Sequence, residues 1–307
     1  MAKGAAGDVP LARIRATPLT GNPMMKLFKQ ARAAVSMLNA VEVRKRAEHP
    51  VHIGLVARSG SGYAEMEDLL LPASISGDAR LDRTALVHRA GDATPPDSVD
   101  LVFYHPGVAR DPGTYTLDPF DLESVVAAVM HDHEELALPL ARQFPAFRRP
   151  LVERIIQAVA RENALFAIAT ALPNVVPNLI ELPWVFGEFA SDTAFLTANQ
   201  IRMAFLIAAA CEKPVGFANQ MAEIGMIVGG AFGWRAIARE LAGKIPLGGG
   251  LIPKGAIAYA GTIAVGKGLE YWHRANRQYT AEEREQVYQQ ALDRGKSVAQ
   301  SLQEGDL

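Results

Sequence analysis

The spacing of apolar residues changes along the chain, and the changes divide it into segments. Over residues 24–48, Leu27, Ala31, Ala34, Val35, Leu38 and Val41 fall on one helical face. Lys26, Lys29, Arg32, Arg44, Lys45 and Arg46 surround that face, as in an amphipathic helix with a solvated basic side. Asn22 and Pro23 occupy the positions favoured for a cap and a first turn. After His49-Pro50 the helical period stops. Residues 51–56 read as a buried strand, residues 57–64 as a glycine-bearing turn, and residues 65–71 as a short helix. Residues 84–88 and 99–104 predict two more strands, and residues 111–119 a loop. Strands joined by short connections predict a small, mostly parallel βαβ-type unit.

Helical periodicity then returns and dominates. Helices are predicted over 120–144 (kinked at Pro139), 151–171 and about 191–211, with the proline-broken apolar stretch 172–183 as a bent connector. In the stretch 221–268, Gly225, Gly229 and Gly233 recur every fourth residue and form a stripe without side chains. Interior helical glycine costs about 0.5–1 kcal/mol relative to alanine, so the stripe predicts close approach of a second helix. The run that follows a glycine-rich break carries its own small stripe at Ala256, Ala260, Ala264 and Gly268, which predicts a packed helical hairpin. A highly charged, exposed helix is expected beyond Thr280, capped reciprocally with Glu283. The fold class expected is α/β or α+β, mostly α. The units are a tail (1–23), an amphipathic helix (24–48), the α/β unit (49–118), a helical domain (119–279) and the charged C-terminal helix (280–307).

Composition narrows the function classes. A formal net charge of −2 gives no footprint for nucleic acid. The one cysteine, Cys211, excludes an internal disulfide framework and fits a reducing, cytoplasmic setting. Hydrophobic residues make up 49% of the chain, which requires a large core or contact with lipid. Glu223 and Arg235 bracket the first hairpin helix, and Lys254 and Lys267 the second, too closely for an uninterrupted span of about 20 residues. A buried hairpin is the expected arrangement, with insertion of the hairpin into a bilayer as the alternative.

Candidate chemistry is sparse. The cluster His131-Asp132-His133-Glu134-Glu135 places His131 and Glu135 four apart, but no third ligand follows, so a solvated acidic face and no metal are expected. Ser59 and Ser61 have no assignable base, and no G-x-S-x-G elbow occurs. The strand–loop–helix layout at 51–71 is that of a phosphate-binding loop. Its chemistry is missing. Ala57 stands for the first glycine, Tyr63 for the lysine and Ala64 for the hydroxyl residue, while Gly62 is kept and Arg58 and Gly60 lie between.

Residues 148–274 resemble a bacterial helical domain of unknown function, often fused behind an Era-like GTPase domain and found in YcjF-type membrane proteins. The residues that carry the resemblance are the connector from Leu172-Pro173 to Pro183, Asn199-Gln200-Ile201-Arg202-Met203, Gly229-Gly230-Ala231-Phe232-Gly233-Trp234-Arg235, Lys244-Ile245-Pro246, and Ala258-Tyr259-Ala260-Gly261-Thr262 leading to Gly266 and Tyr271-Trp272. The resemblance implies that residues 51–70 are the degenerate first strand, phosphate loop and helix of a GTPase. It also implies that Tyr104 stands where a Mg²⁺-linked aspartate would be, before a retained Pro106-Gly107. No N-K-x-D guanine motif follows. The function expected is therefore a non-enzymatic, GTPase-like protein without cofactor whose helical domain meets a membrane surface or partner helices. The alternatives are an atypical GTP-binding switch that uses Arg58, and an integral membrane protein.

Overall fold

The computed structural model describes residues 40–92, 98–170, 192–225, 227 and 251–304. The amphipathic segment before residue 40, the connector 172–183, and Gly229 and Gly233 lie outside the described residues.

Helix α1 (Ala40–Ala47) leads through Val51 into strand β1 (Ile53–Val56), which is followed by helices α2 (Gly60–Leu70) and α3 (Gly77–Thr84) and strand β2 (Val87–Arg89). Strands β3 (Leu101–Tyr104) and β4 (Tyr115–Thr116) complete a sheet of order β2-β1-β3-β4. All three pairings are parallel, with Ile53 opposite both Val87 and Leu101. The mostly helical α/β class expected from the periodicity is the observed one. Two elements of this unit carry no periodic signal. The two-residue β4 lies in the stretch expected as loop, and α3 has too few apolar residues to register, with Leu81 74% exposed. Because α3 occupies residues to Thr84, the second strand begins at Val87 rather than Thr84.

The helical part is α4 (Leu122–Asp132), a 3₁₀ turn (Glu134–Leu136), α5 (Ala137–Gln143), α6 (Pro145–Ala169), α7 (Asp192–Ala210), α8 (Leu251–Ala275) and α9 (Ala281–Glu304). The single kinked helix expected over 120–144 is two helices broken at His133, whose backbone leaves the helical region (φ −128°, ψ 63°). Pro139 is the third residue of α5, where a missing N–H costs nothing, so it starts a helix instead of bending one. Pro145 opens α6 in the same way, five residues before the expected Pro150.

Most of the first helix expected in the hairpin lies outside the described residues, and only its Gly225 end is described. Gly225 is exposed, and among the described residues nothing lies within 4 Å of where its side chain would start. Ala256, Ala260 and Ala264 are buried as expected, and among the described elements α8 packs chiefly against α9 and α6. Gly268 is half-buried with only ordinary clearance from Tyr279. Close approach occurs at three other glycines. A Cβ at Gly266 would stand 2.7 Å from Ile156 Cγ1, one at Gly255 2.8 Å from Ile168 Cδ1, and one at Gly295 2.9 Å from the Ala256 carbonyl oxygen. The C-terminal helix is accordingly part of the core rather than an exposed appendage, with Tyr288 fully buried. Its start is as expected: the Thr280 amide donates to Glu283 at 2.8 Å, and the Glu283 amide donates to Thr280 Oγ1 at 3.2 Å.

One continuous apolar core runs from Val51 and Leu55 through Phe144 and Ile156 to Tyr259 and Tyr288, so the boundary expected near residue 118 crosses a shared interior. Polar clamps reinforce the junction. Gln143 on α5 donates to the His49 carbonyl at 2.6 Å and accepts from the Val51 amide at 3.0 Å, which fixes the entry to β1. At the end of α7, Glu212 adopts a left-handed conformation (φ 62°) and pairs with Arg83 of α3 and Arg148 of α6. Those two guanidinium groups hold a non-glycine residue where helix ends usually favour glycine.

Among the described residues, no helix is long and apolar enough to cross a membrane.

Candidate functional site

The sheet order places a topological switch point at the carboxyl ends of β1 and β3, where open parallel sheets bind ligands. Residues 57–64, expected as a degenerate phosphate loop, sit there. Their geometry differs from the loop expected, because α2 begins at Gly60, five residues earlier than the periodicity implies. Gly60, Gly62, Tyr63 and Ala64 are therefore helical, and only Ala57, Arg58 and Ser59 connect β1 to α2. Ser59 accounts for the early start: its backbone is extended, and its Oγ accepts from the Gly62 amide at 3.2 Å. One of the amides that a phosphate cradle would turn toward its ligand is thus satisfied by the chain itself. Three connecting residues do not make the long backbone loop that wraps a phosphate.

His105, the first residue after β3, fills what remains. Its Nε2 lies 3.0 Å from Glu65 Oε2 and its Nδ1 3.0 Å from the Pro106 carbonyl. The ring stands directly over Gly62, where an added Cβ would be 3.1 Å from His105 Cδ2 and 3.2 Å from Ala57 Cβ. A side chain at Gly62 would press against the imidazole above it. Hydrogen bonding to Glu65 raises the His105 pKa above its ordinary value near 6.5. A raised histidine pKa contributes stability below the unfolded value, and the contribution is lost as pH rises through the folded value. Glu65→Gln is expected to lower the His105 titration midpoint, read by NMR of the imidazole. Tyr104, which stands where the resemblance would place a Mg²⁺-linked aspartate, donates its hydroxyl to Asp111 at 2.7 Å. Arg58 is exposed. The phosphate-loop pattern led to this location, but His105 and Glu65 were not legible as partners, because their contact joins α2 to a loop forty residues on.

The acidic cluster at 131–135 is solvent-exposed, as expected, apart from half-buried His133, but the break at His133 takes His131 and Glu135 off a common helical face. His131 lies in the last turn of α4 and Glu135 in the 3₁₀ turn; within the cluster His133 Nδ1 lies 3.7 Å from Glu135 Oε1, while Asp132 accepts from the Tyr115 hydroxyl at 2.9 Å and Glu134 pairs with Arg154. Among the described residues no group of three metal-ligating side chains occurs.

A second polar centre lies inside the helical part. Asn163 on α6 is fully buried and donates to Thr262 Oγ1 of α8 at 2.8 Å, while Asn199 Nδ2 of α7 donates to Asn163 Oδ1 at 2.9 Å. Asn199 also donates to Glu162 at 2.9 Å and accepts from Arg202 Nε at 2.9 Å, and Arg202 pairs with Glu162. The Thr262 hydroxyl donates in turn to the Ala258 carbonyl at 2.8 Å. Three helices are thus registered by one chain of hydrogen bonds, which a purely apolar interface would leave free to slide. Asn199 and Arg202 are visible in the sequence as polar residues beside an apolar run. Their partners on α6 and α8 are not.

His273 of α8 is almost fully enclosed, its Nε2 4.0 Å from Glu223 Oε1 and without a hydrogen bond among the described residues. Burial, and then the nearby Lys213 charge, push its pKa down to about 4. The carboxylate opposes this shift, but at that separation it does not offset the loss of water. A depressed histidine pKa means that the unfolded chain takes up the proton first, so stability is expected to fall between about pH 6.5 and 4. His273→Gln should flatten that part of a denaturation-midpoint-versus-pH curve.

Comparison with protein-family models, with curated proteins and with solved structures finds no match to this chain.

Proposed function

We propose that this chain is a non-catalytic, GTPase-like protein: its α/β unit keeps the shape of a nucleotide-binding half but works as a scaffold, and its helical part associates with partner helices or a membrane surface. The observation that carries this reading is His105 lying over Gly62 and bonded to Glu65 at the switch point, where a nucleotide's phosphates would have to sit. The capped α2 terminus and Tyr63 at the lysine position support it in the same direction. A guanine nucleotide brought to this crevice meets an imidazole–carboxylate pair, with no lysine to offset the carboxylate. Titration of a fluorescent guanine nucleotide with Mg²⁺ is expected to give no saturable signal, and saturable binding at micromolar concentration would overturn the reading. Co-sedimentation with anionic and neutral vesicles separates the two modes of association. Pelleting with vesicles assigns the membrane surface, and a protein left in solution assigns partner helices.

Arg58 favours a second reading. It is an exposed cation one residue before the cap of α2, where a switch protein with an atypical loop would place its phosphate contact. Arg58→Ala then abolishes nucleotide binding. Gly62→Val does not discriminate, since it collides with His105 whether or not a phosphate binds.

A further inference from the structure

A cavity of about 260 Å³ opens between α6, α7, the turn before α5, and α1. Its floor is apolar: Leu151, Ile155, Ala158 and Val159 form one face of α6, and Leu206 of α7 flanks them. Its lining is charged and unbalanced, with guanidinium groups from Arg46, Arg154 and Arg202 against carboxylates from Glu134 and Glu162. Both carboxylates are already engaged, Glu134 by Arg154 at 3.2 Å and Glu162 by Arg202. The Arg46 side chain is exposed and makes no hydrogen bond or ion pair among the described residues. Arg202 is held in place from behind by Asn199, so one wall of the cavity is set by the buried hydrogen-bond chain.

We infer that this cavity is a binding site for a small anionic amphiphile: a carboxylate head on a short aliphatic body, the head meeting Arg46 and Arg154 and the body lying on Ile155, Ala158 and Val159. The sign follows from the lining, which carries one more cation than anion and whose carboxylates are both neutralised by neighbours. The size follows from the volume, which falls below the roughly 300–1,000 Å³ of sites for drug-sized ligands. The chemistry follows from the combination: an apolar floor recognises hydrocarbon, and a guanidinium recognises a carboxylate through paired donors. This site is separate from the α/β crevice, and it stands or falls independently of the nucleotide-like reading.

Calorimetric titration of the full chain with octanoate, below the concentration at which it forms micelles, tests the proposal, with octylamine as the charge-reversed probe. Octanoate should bind saturably and octylamine should not. Arg46→Glu should weaken octanoate about tenfold, the effect of reversing one charge at a partly solvated contact. Ala158 is exposed on the groove floor, so Ala158→Phe should fill the cavity and abolish binding with an unchanged circular dichroism spectrum. Failure of octanoate to saturate at millimolar concentration overturns the proposal, as does binding unchanged in Ala158→Phe or equal binding of octylamine. Binding of phosphatidylglycerol vesicles or of an acidic helical peptide without octanoate binding overturns it too, by assigning the charge to a lipid surface or a protein partner.

Discussion

Gly295→Val is expected to destabilise the chain by about 3 kcal/mol, the upper part of the range for overpacking a filled interior. At this position α9 lies so close to α8 that a Cβ would stand 2.9 Å from the Ala256 carbonyl oxygen, 3.2 Å from Ala256 Cα and 3.1 Å from a ring carbon of the buried Tyr259. The first two are backbone atoms, which no rotamer change can move aside. Valine also gains little intrinsic helix propensity to offset the collision. The two helices must separate, and Tyr288 and Tyr259, both fully buried, lose contacts when they do. The paired measurement is Gly225→Ala, which should leave stability unchanged or raise it by about 0.5–1 kcal/mol, because that glycine is exposed with open space above it. Urea denaturation of both variants reads the contrast directly. Equal losses in the two would mean that the helical part is assembled on the stripe at Gly225, and not on the α8–α9 contact.

Asn163→Asp should cost about 3 kcal/mol at neutral pH, and most of that loss should disappear toward pH 4. Asn163 is fully buried, and its amide donates to Thr262 while its carbonyl accepts from Asn199. An aspartate of the same shape keeps the acceptor and loses the donor. Its charge would sit without water close to Glu162, which shares Asn199 as a partner. Burial and the like charge both push the new carboxyl pKa above its unfolded value near 3.9. A carboxyl with a raised folded pKa is neutral in the fold while the unfolded chain ionises, so the penalty grows as pH rises from about 4. Chemical denaturation of Asn163→Asp and the parent at pH 4.5 and 7.5 measures the difference. A penalty that does not change with pH would mean that the site admits water and that the hydrogen-bond chain is not dry.

The helical periods of 191–211 and 255–274 and the capping box at Thr280 were legible because each depends on residues within a few turns of one another. The parallel sheet was legible from the apolar runs at β1 and β3. What the sequence concealed were contacts between distant segments. Repetition at intervals of four marked Gly225 as a packing residue, yet among the described glycines of the helical part the closest approaches are at Gly255, Gly266 and Gly295, which form no such series. A spacing records which face a residue lies on, not whether anything lies across that face. The same limit applied at the candidate site. Ala57, Tyr63 and Ala64 revealed the missing phosphate chemistry, but the length of the loop was set by Ser59, whose capping role turned Gly60 and Gly62 into helix. His105 followed the best strand in the chain, and only the register of β1 against β3 brings it over Gly62.

The central claim is that the carboxyl end of the sheet is closed by the chain's own side chains. Site-resolved NMR of the Gly60, Ser61 and Gly62 amides and the His105 imidazole, during titration with GTP and Mg²⁺, tests it most directly. The account predicts that these resonances stay fixed up to millimolar nucleotide. It also predicts that His105 titrates above 6.5 throughout and falls back only in Glu65→Gln. Saturable movement of the three amides, together with release of His105 from Glu65, would contradict it.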